Sequence, residues 1–167
     1  MLQVKTAHGF LVREKDGKTQ VCLAQHRAGN DHPQREVKWN GVSGKFDPDN
    51  DKTLADALAR QAYEELGVQI ADYEEVGKIR IKEERRIVDR HVYIIRDWDG
   101  ELEENQEVAA NWFDVDSLPL DEMLEDDELW VPDMLRYQRH FMGELVFSGD
   151  SVDWSESWID WLEEDVE

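Results

Sequence analysis

The chain has 167 residues, with 19 basic and 40 acidic side chains, for a formal charge of −21; such a field repels polyanions and argues against duplex DNA or an anionic membrane as partner. Its length fits one domain with one buried core, and Cys22, the only cysteine, excludes an intrachain disulfide. The opening MLQVKTAHGFLV lacks the basic end and long apolar run of a signal peptide, and no apolar run approaches the ~20 residues of a membrane-spanning helix, so the expectation is a cytoplasmic protein. A small phosphorylated ligand remains compatible with the charge, because a bound divalent cation reverses the local field.

Residues 2–14 (LQVKTAHGFLVRE) and 19–26 (TQVCLAQH) are β-rich and flank KDGK, whose Asp16-Gly17 pair predicts a hairpin. Polar residues 27–38 form a loop into WNGVSGK. A helix should start at Thr53, which can cap the free amides, with Asp56 at the third position of the first turn. Leu54, Ala57, Leu58, Ala62 and Leu66 recur at helical spacing until Gly67 ends the run. VGKIRIKEE and RIVDRHVYIIRDW then alternate as strands around a charged turn, and AANWFDVDSLP reads as a strand ending at a proline. Residues 121–141 return to helical spacing, with Met123, Leu129, Trp130, Met134, Leu135 and Phe141 as core positions. Strands with helices between them predict an α+β fold, a mixed sheet covered by helices. Residues 150–167 contain eight acids and no base, yet Trp154, Trp158, Trp161 and Leu162 follow an i, i+4, i+7, i+8 course. That stripe predicts a helix packed on the domain of residues 1–149 rather than a solvated tail.

The stretch GKFDPDNDKTLADALARQAYEELGV, residues 44–68, sets Gln61, Glu64 and Glu65 on one helix face behind a glycine turn. Oxygen ligands of this type suit magnesium or manganese. Arg60 and Glu64 stand i, i+4 apart and read equally as a surface ion pair, which leaves Glu65 and the glycine loop unexplained. The five histidines offer no HExxH spacing, which argues against a zinc site.

The segment RQAYEELGV behind Gly44-Lys45 resembles the Nudix box: a glycine, five residues, a glutamate, seven residues, then Arg-Glu-aliphatic-any-Glu-Glu-any-Gly-aliphatic. Arg60, Ala62, Glu64, Glu65, Gly67 and Val68 fit as they stand. Gln61 replaces the glutamate after the arginine, Lys52 stands where the isolated glutamate belongs, and the loop from Gly44 to Arg60 is two residues longer than the pattern. Beyond the box, WNGVSGK, DRHVYI, QEVAANWFDVDSLPLDEMLEDDELWVPDML and FMGELVFSGD are similar to the MutT-type Nudix enzymes that clear oxidised purine nucleoside triphosphates such as 8-oxo-dGTP.

That resemblance implies an α/β/α sandwich with a mixed central sheet and a pyrophosphohydrolase that converts a nucleoside triphosphate to monophosphate and pyrophosphate. Mg²⁺, or Mn²⁺, would be held by Glu64, Glu65, Glu107 and a backbone carbonyl at Ser43 or Gly44, with Arg60 and Gln61 at the remaining box positions. Lys45 would touch phosphate. Asn40, Asp126 and Asp127 would read the purine edge, one aspartate protonated because a buried pair cannot easily hold two charges, while Leu124 takes the place of a base-stacking tryptophan. The partner would be a small nucleotide, with neither long nucleic acid nor membrane, and the protein a monomer. Blander readings stand beside these: Glu107 as an exposed acid in an acidic loop, Asp126 and Asp127 as a solvated helix start, Trp39 as a buried residue beside a turn. Three alternatives also remain: a Nudix enzyme for another nucleoside diphosphate derivative, a catalytically weakened nucleotide-binding module, or an interaction protein using the acidic tail.

Overall fold

The computed structural model describes residues 1–26, 38–103 and 108–162; Glu107 lies outside them. Strands β1 (Leu2–Lys15) and β2 (Lys18–His26) form the expected hairpin. Asp16 and Gly17 at its tip both take positive φ, 53° and 78°, the twist that a tight two-residue hairpin turn requires. Then follow β3 (Val42–Lys45), α1 (Leu54–Leu66), β4 (Gln69–Lys82), β5 (Arg86–Asp99) and β6 (Val108–Asp114). Two short 3-10 turns, Val115–Ser117 and Leu120–Glu122, lead to α2 (Asp127–Tyr137), β7 (Phe141–Ser148), β8 (Ser151–Val152) and β9 (Trp158–Trp161).

The described strands run in the order β6-β2-β1-β5-β4-β7-β8, with β3 also paired to β1 and β9 to β7. β1 with β5 and β4 with β7 are parallel, and the other pairs are antiparallel. The period of two along each strand splits the apolar residues into two cores. Val4, Phe10, Val88, Val92 and Ile94 face α2, which contributes Trp130, Val131, Met134 and Leu135. Ala7, Leu11, Tyr93 and Ile95 face the opposite layer, where α1 supplies Leu58, Ala62 and Leu66. Each large side chain so buried is worth about 1.5–3 kcal/mol, and together they make an α/β/α sandwich around a mixed sheet.

Two expectations from helical spacing fail. The helix foreseen over 121–141 is confined to Asp127–Tyr137, because Gln138 turns left-handed at φ 49° and donates its amide to the Met134 carbonyl at 2.8 Å. Leu129 is exposed, and Phe141 is a strand residue. Its ring occupies the space over Gly77 of β4, where a β-carbon would lie 2.2 Å from it. The described part of the tail, residues 150–162, is not a helix either. Its residues Trp158–Trp161 pair antiparallel with β7, so alternation turns Ile159 and Trp161 inward and leaves Trp158 exposed. Gly143 of β7 admits this strand, since a β-carbon there would meet Ile159 at 2.4 Å. Among the described residues no helix is long and apolar enough to cross a membrane.

Candidate active site

Helix α1 begins with a reciprocal cap. The Thr53 hydroxyl accepts from the Asp56 amide at 3.2 Å, and the Asp56 carboxylate accepts from the amides of Lys52 and Thr53, both at 2.9 Å, which satisfies donors that a helix start leaves free. These bonds hold the Asp56 carboxyl below the usual range. At the other end Gly67 adopts φ 72° and returns its amide to the Tyr63 carbonyl, a left-handed cap that a side chain would oppose.

The loop that exceeds the family pattern is closed by its own aspartates. Asp47 accepts from the Asp49 amide and the Asn50 side chain, and the Asp47 amide donates to Asp51 at 2.8 Å. Arg60 pairs with the buried Asp51 and donates to the Lys45 carbonyl at 3.1 Å. The guanidinium expected to serve the box, or to pair with Glu64, instead ties the loop and β3 to the helix. Gly44 makes that approach close: a β-carbon there would lie 2.4 Å from the Ala57 carbonyl oxygen and 3.3 Å from the Gln61 β-carbon. The backbone of β3 therefore runs directly against the helical turn bearing Gln61. Glu65, one turn on, is buried and accepts a hydrogen bond from Gln61 Nε2 at 3.0 Å. Glu64 is exposed, and so is Lys52.

A cleft of about 940 Å³ opens on the α2 side of the sheet, within the range of small-ligand sites. Asn40, Ser43, Lys45, Leu124 and Asp126 line it, together with Thr6, Lys38, Arg86 and Arg90. Asn40 is fixed by paired backbone bonds to Ala24, and its side-chain oxygen accepts from the Gly41 amide at 2.9 Å. Trp39 stands its ring edge-on to Phe113 and packs against the core while only half-buried, so the reading of a buried tryptophan holds in part. Asp126 accepts from the Trp130 indole at 3.2 Å, and Asp127 from the Leu124 amide at 3.2 Å. Both carboxyls are buried, which overturns the solvated-helix-start reading. Burial, then the adjacent Asp126 charge, push the Asp127 carboxyl up to about 8, so it holds a proton at neutral pH.

The sequence-derived positions thus form two groups. Asn40, Ser43, Lys45, Leu124 and Asp126 share the cleft with Asp127 beside them, while Gly44, Gln61, Glu64 and Glu65 belong to the α1 layer; β3 joins the two, since Ser43 and Lys45 point one way and Gly44 the other. Motif reading passed over Thr6, His8 and Arg90. Strand parity signals all three, because they occupy the inward phase set by Val4 and Phe10 on β1 and by Val88 and Val92 on β5. His8 is wholly buried with its ring edge-on to Phe10, and neither ring nitrogen makes a hydrogen bond. Burial first, then the Arg90 charge, hold its pKa well below the usual value against a weaker opposing effect of Asn40, so the ring is neutral.

Comparison with known proteins agrees with this architecture. The model of the NUDIX domain matches residues 4–134. The oxidized purine nucleoside triphosphate hydrolase of Danio rerio is 34% identical over 117 residues, spanning 69% of this chain and 73% of its own. The CTP pyrophosphohydrolase of Escherichia coli K12 is 31% identical over 99 residues, 59% of this chain and 68% of its own. Among solved structures, a MutT protein from Bacillus halodurans superposes with a TM-score of 0.74 at 16% identity, covering 94% of this chain and 97% of the other. With a domain match that spans most of the chain, a carboxylate helix against a glycine strand and a cleft on the opposite face, this chain belongs to the NUDIX family and is a MutT-type Nudix hydrolase.

Proposed function

We propose that the chain is a Mg²⁺-dependent pyrophosphohydrolase that cleaves purine nucleoside triphosphates, oxidised ones among them, to the monophosphate and pyrophosphate. The observation that carries this reading is the continuity through β3: one strand lends Ser43 and Lys45 to the cleft and lays Gly44 against the carboxylate helix. A base seated beside Asn40 and Asp126 has its phosphates directed along that strand. The similarity to the zebrafish oxidized purine nucleoside triphosphate hydrolase supports the same substrate class.

The residues present fit a magnesium ion. Among the described residues no three His, Cys, Asp or Glu side chains converge as a metal-binding set, but magnesium is commonly held by one or two carboxylates together with water and substrate phosphate oxygens. Glu64, Glu65 and the backbone carbonyl at Ser43 or Gly44 would supply such an oxygen-only set; Glu107, outside the described residues, would be a further carboxylate. The bound cation would neutralise the phosphate oxygens and activate water for attack on phosphorus. The chain's own residues do the rest. Arg60, through Asp51 and the Lys45 carbonyl, locks β3 on the helix; Gln61 orients the Glu65 carboxylate; Lys45 stands exposed at the cleft to receive phosphate. Hydrolysis breaks one phosphoanhydride bond as the water oxygen joins phosphorus, and pyrophosphate leaves.

The hydrogen bond from Gln61 to Glu65 favours one rival, a nucleotide-binding module with weakened chemistry, because an amide brings no charge to a cation. A pyrophosphate-release screen of canonical and modified nucleotides, with and without Mg²⁺, separates the two. Metal-dependent release from purine triphosphates supports the hydrolase; tight binding without release supports the module.

A further inference from the structure

The register of the sheet places Arg90 in an unusual position. Thr6 of β1 pairs with Lys45 on one side and with Arg90 on the other, so the three side chains stand in a row on the cleft face, successive strands about 4.8 Å apart. Arg90 is flanked on its own strand by Val88 and Val92, both core residues. Its Nε is buried without a hydrogen-bond partner, as is the Thr6 hydroxyl, and among the described residues its guanidinium makes no hydrogen bond or ion pair. Asp127, near enough to feel the Arg90 charge, forms no ion pair with it. Arg90 is half-buried and lines the cleft, and a buried donor such as its Nε left unsatisfied costs about 1–3 kcal/mol, which an acceptor bound in the cleft would offset.

We propose that Arg90 is a specificity-determining residue of the cleft, its guanidinium donating to a carbonyl oxygen of the nucleobase and so selecting oxopurines, guanine and 8-oxoguanine, over adenine. This rests on the reading of the cleft as a nucleotide site. The chemistry of the remaining groups points the same way. The Gly41 amide occupies the Asn40 side-chain oxygen, and the Trp130 indole and Leu124 amide each take one oxygen of the aspartate pair. The cleft as a whole mixes donors with the acids Glu83, Glu125, Asp126 and Asp150, but the row Lys45, Thr6 and Arg90 is made of donors, so a base edge seated against that row must bring an acceptor. Guanine offers a carbonyl edge that suits the arginine fork, whereas adenine presents an amino group at that position, donor against donor. The neutral His8 beside it adds no competing charge.

The test compares wild type with Arg90→Met and Arg90→Lys. The kcat/KM of Mg²⁺-dependent pyrophosphate release is measured for dGTP, 8-oxo-dGTP, dATP and CTP, and calorimetry gives the Kd of dGMP and dAMP without metal. Wild type should prefer the guanine nucleotides. Arg90→Met should lose about 10- to 100-fold on them, the discrimination typical of a bidentate base contact, while dATP, relieved of the donor clash, should not fall, so the preference for guanine over adenine collapses. Arg90→Lys, keeping charge without the fork, should recover only part. Melting temperature controls for the fold: Arg90→Met removes a buried donor that has no partner, and Arg90→Lys keeps the charge at the cleft, so neither should fall. An equal loss on all four nucleotides, a loss confined to CTP, or a wild-type preference for adenine overturns the assignment. Base-selective binding that depends on Arg90 without any turnover keeps the assignment and defeats the hydrolase reading; no nucleotide binding at all defeats both.

Discussion

Replacing Asp127 with asparagine separates the proton on that side chain from its shape. The amide is nearly isosteric and its oxygen can still accept from the Leu124 amide, as the carboxyl does at 3.2 Å, but it cannot ionise. The carboxyl is raised from 3.8 to about 8, first by burial and then by Asp126. At about 1.4 kcal/mol per pKa unit, the fully developed cost of taking the proton from the buried Asp126–Asp127 pair in the folded state is on the order of 6 kcal/mol. Below pH 4 both states are protonated and there is no penalty. Between pH 4 and 8 the folded state binds the additional proton, so stability falls as pH rises through that window. Urea unfolding of wild type and Asp127→Asn at pH 5, 6 and 7 isolates the proton of the aspartate pair, because titrations away from the pair are common to both proteins. The variant should gain on wild type by about 1.4 kcal/mol per pH unit. A difference that stays constant across the three pH values refutes the buried proton, and with it the donor character of the aspartate pair.

Glu65→Gln should lower turnover at saturating Mg²⁺ by about 100-fold or more; wild-type rates in that variant remove Glu65 from the metal site. Gln61→Glu puts a second carboxylate where an amide now donates to Glu65, so its melting temperature should drop without metal, recover with Mg²⁺ beyond the wild-type response, and its activity at low Mg²⁺ should rise. Identical metal responses in the two proteins exclude position 61 from the site. Truncation after Gly149 removes β8 and β9, including Trp161, whose ring packs on Phe141 at 5.2 Å, and should cost about 3 kcal/mol in denaturant unfolding; an unchanged midpoint shows that β9 contributes nothing.

Sequence disclosed the parts of this molecule that are set by local chemistry. Thr53, Asp56 and Gly67 mark both ends of α1 because caps act within one turn, and Asp16-Gly17 marks the hairpin because its φ values are positive. The tail misled because Trp154, Trp158 and Trp161 follow a helical spacing by coincidence; what decides the segment is the open edge of β7 and the space over Gly143, which are tertiary facts. Phe141 likewise joined the helical series until the pocket over Gly77 claimed it. In the site, motif residues were legible one by one, but their division between two faces of β3 was not. Arg60 fits the box pattern yet turns to Asp51, a partner supplied by the longer loop. Arg90 carries no motif, and its importance emerges only from the register with Thr6 and the absence of a partner.

Phosphorus NMR of 8-oxo-dGTP and dGTP treated with the wild-type chain and Mg²⁺ addresses the reaction itself. A Mg²⁺-dependent pyrophosphohydrolase yields the nucleoside monophosphate and pyrophosphate in equal amounts, with no turnover once the metal is chelated. Release of orthophosphate with the nucleoside diphosphate, or intact triphosphate after prolonged incubation with Mg²⁺ or Mn²⁺, would contradict it.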